Sequence, residues 1–243
     1  MPSRSREVDR PTWGNIVLVK LLLLHPLPLD GSIFSEGLRS LGDGCVAPTL
    51  YCEGDDIVAW ARAALDEVGG GPIVVVGNSV GGSCAIEVAR LAPTKVKALV
   101  LCGAKAGHRP EPAFRDEALS VLESQGLDAA WQRYWRPLFG PNVPADVVHR
   151  AWLAASAQGA ESIASGVRAF HGRQDREDFL RSWPHPVVIV SGEHDINPPA
   201  SQDLAARLPR GTFRLVDGVG HYVPLEAPDA LTTATAEVLA SLA

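Results

Sequence analysis

Short unbroken apolar runs alternate with amphipathic stretches along this chain. Residues 16–24 are apolar except for Lys20, and a run without polar alternation predicts a strand buried on both faces. A loop follows, HPLPLDG, punctuated by two prolines and a glycine. Residues 55–68 repeat at helical spacing, with Ile57, Ala61, Ala64 and Val68 on one face and Gly69-Gly70-Gly71 as the stop. Residues 72–76 form a second buried strand, 79–92 a helix ended by Pro93, and 96–102 a third strand. Further on, strand 187–191, helix 200–208 and strand 212–216 follow in turn. A last helix from Pro228 carries Leu231, Ala234, Val238 and Leu242 on one side.

Strand alternating with helix, the strands continuously apolar, predicts an α/β fold: a mostly parallel central sheet with helices on both faces. One section breaks the rhythm. Residues 105–183 contain no strand candidate, read as helical, and hold four of the six tryptophans. They are expected to form a helical cap inserted between two sheet strands. The expected organisation is a polar N-terminal extension over 1–14 that adds little to the core, a first core part over 15–104, the cap over 105–183 and a second core part over 184–243. The pattern shows neither an internal repeat nor a low-complexity tract.

Composition narrows the functional classes. Apolar residues make up 46% of the 243 and charged residues 21%, enough for a large core and against disorder. A formal net charge of -6, without a Lys/Arg-rich run, argues against nucleic-acid or anionic-membrane partners. The apolar run at 16–24 is too short to span a bilayer, and no small-residue cleavage site follows it. Cys45, Cys52, Cys84 and Cys102 lack metal-type spacing and read as buried or half-buried reduced thiols. A cytoplasmic location is the expectation, and the oligomeric state is left open.

The chemistry concentrates at GNSVGG, residues 77–82. Ser79 follows a buried strand and opens a helix, so its hydroxyl could simply cap that helix. The flanking glycines favour another reading. A nucleophile held at a sharp strand-to-helix turn needs small neighbours two residues before and after it, and Gly77 and Gly81 stand there. A serine hydroxyl needs a base, and the base needs a carboxylate to orient it. His221 lies just past strand 212–216 and Asp195 just past strand 187–191, with Glu193 the nearby rival. Three such residues at the ends of successive strands, in the order Ser, Asp, His, point to a triad.

With the motifs HPLPLDGSIF, GNSVGGS, SGEHD and GVGHYVPLEAPD, the chain resembles the α/β-hydrolase family from about residue 16 to its end. It is most similar to the small branch of 3-oxoadipate enol-lactonases and carboxylesterases. The resemblance implies that Ser79 is the nucleophile, Asp195 the acid and His221 the base. It also implies an oxyanion hole from the backbone N–H groups of Val80 and Leu27, with neither metal nor organic cofactor. Two departures stand out: His25-Pro26 replaces the family's His-Gly pair, and little precedes the first strong strand where relatives carry two antiparallel strands. His25 is expected to hold its loop by hydrogen bonds. Trp131, Trp135, Trp152 and Phe170, with Tyr134, are candidates for the substrate pocket, although aromatics at helical spacing also read as core. Lys105, His108 and Arg109 read as a solvated basic loop, with a substrate carboxylate as the alternative partner.

The implied function is hydrolysis of a small-molecule ester, lactone or thioester through an acyl-enzyme. Thioesterase, C–C hydrolase and lyase chemistry share the same triad. A catalytically silent ligand-binding protein is the alternative from another class.

Overall fold

The computed structural model describes residues 19–108 and 111–242. The first described strand, β1 (Lys20–Leu24), leads through a short helix α1 (Glu36–Arg39) to a two-residue strand β2 (Cys45–Val46). Then come α2 (Ile57–Val68), β3 (Ile73–Asn78), α3 (Val80–Leu91) and β4 (Val96–Cys102). Four helices separate β4 from the next strand: α4 (Pro112–Ala130), α5 (Ala145–Gln158), α6 (Ala160–His171) and α7 (Glu177–Ser182). The chain closes with β5 (Val187–Gly192), α8 (Pro198–Ala206), β6 (Gly211–Val216), α9 (Val223–Glu226) and α10 (Pro228–Ala240).

The six strands of the described residues pair in parallel, in the order β2-β1-β3-β4-β5-β6. The interior strands are buried along almost their whole length, because helices cover both faces. From β1 the chain first moves outward to β2 and then crosses back to β3, so the winding reverses between β1 and β3. That reversal opens a crevice at the carboxyl ends of these two strands, the place where open parallel sheets bind ligands. Leu24 pairs with Gly77 there, which puts the loop after β1 beside the turn after β3.

Local chemistry explains where the elements begin. The helix expected over 55–68 starts at Ile57 because the Asp56 carboxylate accepts from the Val58 N–H at 2.9 Å. The one expected over 200–208 starts two residues earlier, at Pro198, where Asn197 caps it and proline suits the first turn. Strand β2 escaped the apolar pattern because it is two residues long and only half-buried. The expected strand over 16–24 begins at Lys20 in the described chain, and residues 16–18, like the extension over 1–14, lie outside the described residues.

Between β4 and β5 the described residues contain helices and turns and no strand. Gly126, with φ 82°, breaks α4, and a wide turn at Trp131–Trp135 follows it. Trp131 is buried against Phe139 and Trp152. Trp135 is buried as well, and Trp152 is half-buried. The four thiols are unpaired, and Cys52 corrects the expectation of buried or half-buried cysteines. It is exposed, because it sits in a one-turn helix at Tyr51–Glu53 that turns Tyr51 inward and its neighbour out.

A buried charge ties the helical segment between β4 and β5 to α3. The Glu87 carboxylate on α3, 2% exposed, accepts from Arg176 Nε at 2.6 Å and from Arg90 Nε at 2.7 Å. Removing it strands two arginines, but each is partly exposed and recovers solvation, so the loss falls below the ~3–5 kcal/mol typical of breaking a fully buried pair. Glu87→Ala is expected to cost about 2 kcal/mol, lowering Tm by roughly 4–8 °C in a thermal melt. An unchanged Tm would show that the clamp is not part of the stability of the fold.

Candidate active site

Ser79 is the only non-glycine residue with positive φ among the described residues, at φ 56° and ψ -119°. Such a conformation costs a β-carbon-bearing residue about 1–3 kcal/mol and persists only when the surroundings enforce it. Here the Ser79 N–H donates to the Cys102 carbonyl at 2.8 Å, locking the turn to the end of β4. The flanking glycines allow the close approach. A β-carbon at Gly77 would fall on the Gly81 carbonyl, one at Gly81 on the Leu24 carbonyl, and one at Gly82 on the Ala104 side chain. The Ser79 side chain makes no capping hydrogen bond to α3, so the helix-cap reading does not hold.

His221 and Asp195 meet. His221 Nδ1 lies 2.6 Å from Asp195 Oδ1, and both side chains are 4% exposed. Asp195 Oδ1 also accepts from the Ile196 N–H at 2.6 Å, and Oδ2 accepts from the Ser191 hydroxyl at 3.3 Å. Burial pushes the Asp195 carboxyl up. The hydrogen bond and electrostatic pull of His221, then Ile196 and Ser191, outweigh it and hold the group below its ordinary value. Glu193 lies elsewhere: half-exposed, it accepts from the Gly218 N–H at 2.8 Å. The Ser79 hydroxyl has no hydrogen-bond partner among the described residues. Such contacts often tighten only when substrate arrives.

The loop after β1 is pinned from three directions. His25 is buried, accepts from the Leu50 N–H at Nε2 (3.1 Å) and places Nδ1 3.2 Å from the Pro26 carbonyl. Tyr51 donates its hydroxyl to the Leu29 carbonyl at 2.7 Å, and Tyr222 donates to the Leu27 carbonyl at 3.1 Å. The loop is therefore fixed even with Pro26 where a glycine was expected. Neither the Leu27 nor the Val80 N–H is spent on an acceptor among the described residues.

A cavity of about 570 Å³ opens on the Asp195 side of this site, lined by Gly103, Lys105, Phe170 and Arg173 among others. Of the five aromatic pocket candidates, Phe170 lines it, and Trp131, Tyr134, Trp135 and Trp152 do not. Neither Ser79 nor His221 faces it.

Residues 21–234 match the family described as the alpha/beta hydrolase family. The chain belongs to that family. Among curated proteins it is similar to RutD of Caulobacter vibrioides, described as a carbamate hydrolase, with 28% identity over 79% of this chain and 72% of that one. Among solved structures it superposes on a thermophilic esterase from Thermogutta terrifontis with a TM-score of 0.83, at 23% identity over 92% of this chain and 90% of that one. It also superposes on the enol-lactonase from Burkholderia xenovorans LB400 with a TM-score of 0.74, at 19% identity over 91% of each.

Three residues of this alpha/beta hydrolase bear on the site without having stood out in the sequence. Asn78, buried beneath Ser79, donates to the carbonyls of Cys102 (3.0 Å) and His221 (3.1 Å), tying the histidine loop to the turn. Glu226 accepts from the N–H groups of Gly140, Gly220 and Tyr222, clamping both sides of His221. Gly103, at φ 53°, packs on the acid–histidine pair. A β-carbon there would sit 2.6 Å from His221 Cε1 and 3.0 Å from Asp195 Oδ2. Glu226 lies in the quoted GVGHYVPLEAPD, but only the fold reveals which N–H groups face it.

Two substitutions test this geometry. Gly103→Ala is expected to fold and to displace the imidazole, so the nuclear magnetic resonance signal of the His221 Nδ1 proton should shift or vanish. An unchanged signal would mean that the loop yields instead. The second concerns His25, which burial lowers to about 4. The unfolded chain takes up this proton near pH 6.5 and the folded chain does not until about 4, so stability falls as pH falls through that window. Between pH 7 and 4.5 the loss from His25 is roughly 2–3 kcal/mol. Urea unfolding of His25→Gln should show a shallower loss over that range than the unsubstituted protein. Parallel slopes would remove His25 from the acid response.

Proposed function

We propose that this protein is a serine hydrolase that cleaves small esters or lactones through an acyl-enzyme. The observation that carries the reading is the 2.6 Å His221–Asp195 pair, tied through Asn78 to the turn where Ser79 is held at positive φ. Asp195 stays ionised at neutral pH and accepts from Nδ1–H, which leaves Nε2 as the basic nitrogen toward the serine. His221 takes the Ser79 proton as the hydroxyl attacks the carbonyl carbon. The tetrahedral oxyanion is held by the Val80 and Leu27 N–H groups, both uncommitted at the carboxyl ends of β3 and β1. The imidazolium then protonates the leaving alkoxide. Water, deprotonated by the same nitrogen, attacks the acyl-serine and frees the acid. No step calls for a metal or organic cofactor.

A carbamate is the second substrate class, favoured by the similarity to RutD, since its carbonyl accepts the same attack. Thioesters suit the machinery as well. Four unpaired thiols support a reducing compartment, hence the cytoplasm, and among the described residues no helix is long and apolar enough to cross a membrane.

The test is a set of five variants assayed beside the unsubstituted protein on one activated ester. Ser79→Ala and His221→Ala should each abolish turnover, and the double mutant should be scarcely worse than either, because the groups act as a unit. Asp195→Asn should cost up to ~10⁴ in kcat, since it favours the wrong tautomer. Glu193→Gln should stay within a few-fold of the unsubstituted enzyme. Full activity in Ser79→Ala would overturn the proposal. A crippled Glu193→Gln beside an active Asp195→Asn would move the acid to Glu193.

A further inference from the structure

Three formally charged side chains are buried among the described residues, Glu87, Asp195 and Arg173, and Asp195 is held by His221. They are handled differently. Glu87 has two arginine partners. Arg173, 6% exposed in the turn after α6, has no carboxylate within salt-bridge distance among the described residues. It donates to two carbonyls, Phe170 O at 2.6 Å and Gly107 O at 3.2 Å. Its Nε–H is buried without an acceptor, and its guanidinium lies 4.0 Å from the centre of the Phe170 ring. A buried cation without a counter-ion costs several kcal/mol, and proteins ordinarily avoid it by pairing. This one lines the 570 Å³ cavity.

We propose that this cavity binds the carboxylate group of a small organic acid, with Arg173 as the principal cation and Lys105 as the second. A guanidinium presents paired N–H donors that match a carboxylate, and a ring beneath it fixes its plane. The Lys105 ammonium lies 5.9 Å from the centre of the same Phe170 ring, and both cations line the cavity. Ile196, Ala200 and Leu204 supply apolar lining for a short carbon body.

Beside Lys105 and Arg173 the lining carries Arg207 and the carboxylates of Glu111, Glu177, Asp195 and Asp203. Glu177 is held by Arg181 and Arg207, and Asp195 by His221. His171 is lowered to about 4, first by burial and then by Arg173, so it is neutral at pH 7, and His108 is lowered for the same two reasons. Burial lowers Arg173 only to about 10, with Glu111 and Asp175 opposing, so it stays charged. Glu111 and Asp203 are the lining carboxylates without a salt bridge, and Glu111 is the competitor for Arg173.

The site stands apart from Ser79, so its occupancy is measured first in the Ser79→Ala protein, independently of turnover. Calorimetric titration with succinate should show saturable binding that the uncharged succinamide does not. Arg173→Gln should weaken succinate binding roughly tenfold or more, and Lys105→Gln about threefold. Glu111→Gln should tighten it. Lys105 is exposed, so its substitution keeps the test sound even if Arg173→Gln fails to fold. Succinate heats no different from those of succinamide, or equal binding by the Lys105→Gln protein, would overturn the proposal. So would a preference for inorganic phosphate over succinate.

A second arm identifies the source of the carboxylate, and it rests on the proposed esterase activity. If the acid is part of the substrate, Lys105→Gln raises KM for monomethyl succinate and leaves dimethyl succinate unchanged. If it is a separate molecule, added succinate alters turnover of both esters, and Lys105→Gln abolishes that response. Either pattern supports the site. Loss of all ester turnover alongside intact succinate binding would sink the esterase reading and leave the site standing.

Discussion

The left-handed backbone at Ser79 is the constraint on which the site depends. A residue with a β-carbon stays there only if its neighbours leave no alternative, and three glycines allow that crowding. Gly77 and Gly81 let the first turn of α3 ride against the end of β3 and the Leu24 carbonyl, and Gly82 lets it touch Ala104. The Ser79 N–H bond to Cys102 closes the arrangement from the β4 side. The strain is local, and the stability that offsets it comes from a sheet whose interior strands are almost wholly buried.

Around that fixed point, the other groups are positioned by contacts from distant parts of the chain. Asn78 reaches across 143 residues to the His221 carbonyl, and Tyr222 across 195 to the Leu27 carbonyl. Glu226 holds N–H groups on the histidine loop and at Gly140, near the end of the helical insertion's first half. These bonds are partly or fully removed from water, where a charged acceptor shared by three N–H donors is worth more than on the surface. The histidine is thus oriented by its carboxylate partner on one side and by its own backbone on the other. Arg173 is the exception to this economy: a buried donor group whose needs are met only in part by the chain itself.

Much of this was legible before the fold was known. The apolar runs at 72–76, 96–102 and 187–191 became β3, β4 and β5 because uninterrupted apolar strands are stable only between two layers of helices. Ser79, Asp195 and His221 could be singled out because each follows a strand, and the carboxyl ends of parallel strands gather on one edge. The contacts of the aromatic residues were not legible. Trp131 and Trp152 sit at helical spacings that suit a pocket wall as well as a core, and periodicity does not say which neighbour a helix face will meet. The two-residue β2 was equally silent, since so short a strand carries no period.

The sequence by itself determined the layered parallel architecture, the strained turn at Ser79 and the positions of Asp195 and His221 just past later strands, because those follow from local residue type and spacing. Only the tertiary structure decided that Asp195 rather than Glu193 meets His221, that Ser79 does not cap its helix, and that Arg173 is buried without a counter-ion. Each of those depends on where a side chain points relative to residues far away in sequence. Two carboxylates two positions apart on one loop are equivalent to any reading of pattern. They differ only when packing turns one toward the imidazole and the other toward the Gly218 N–H.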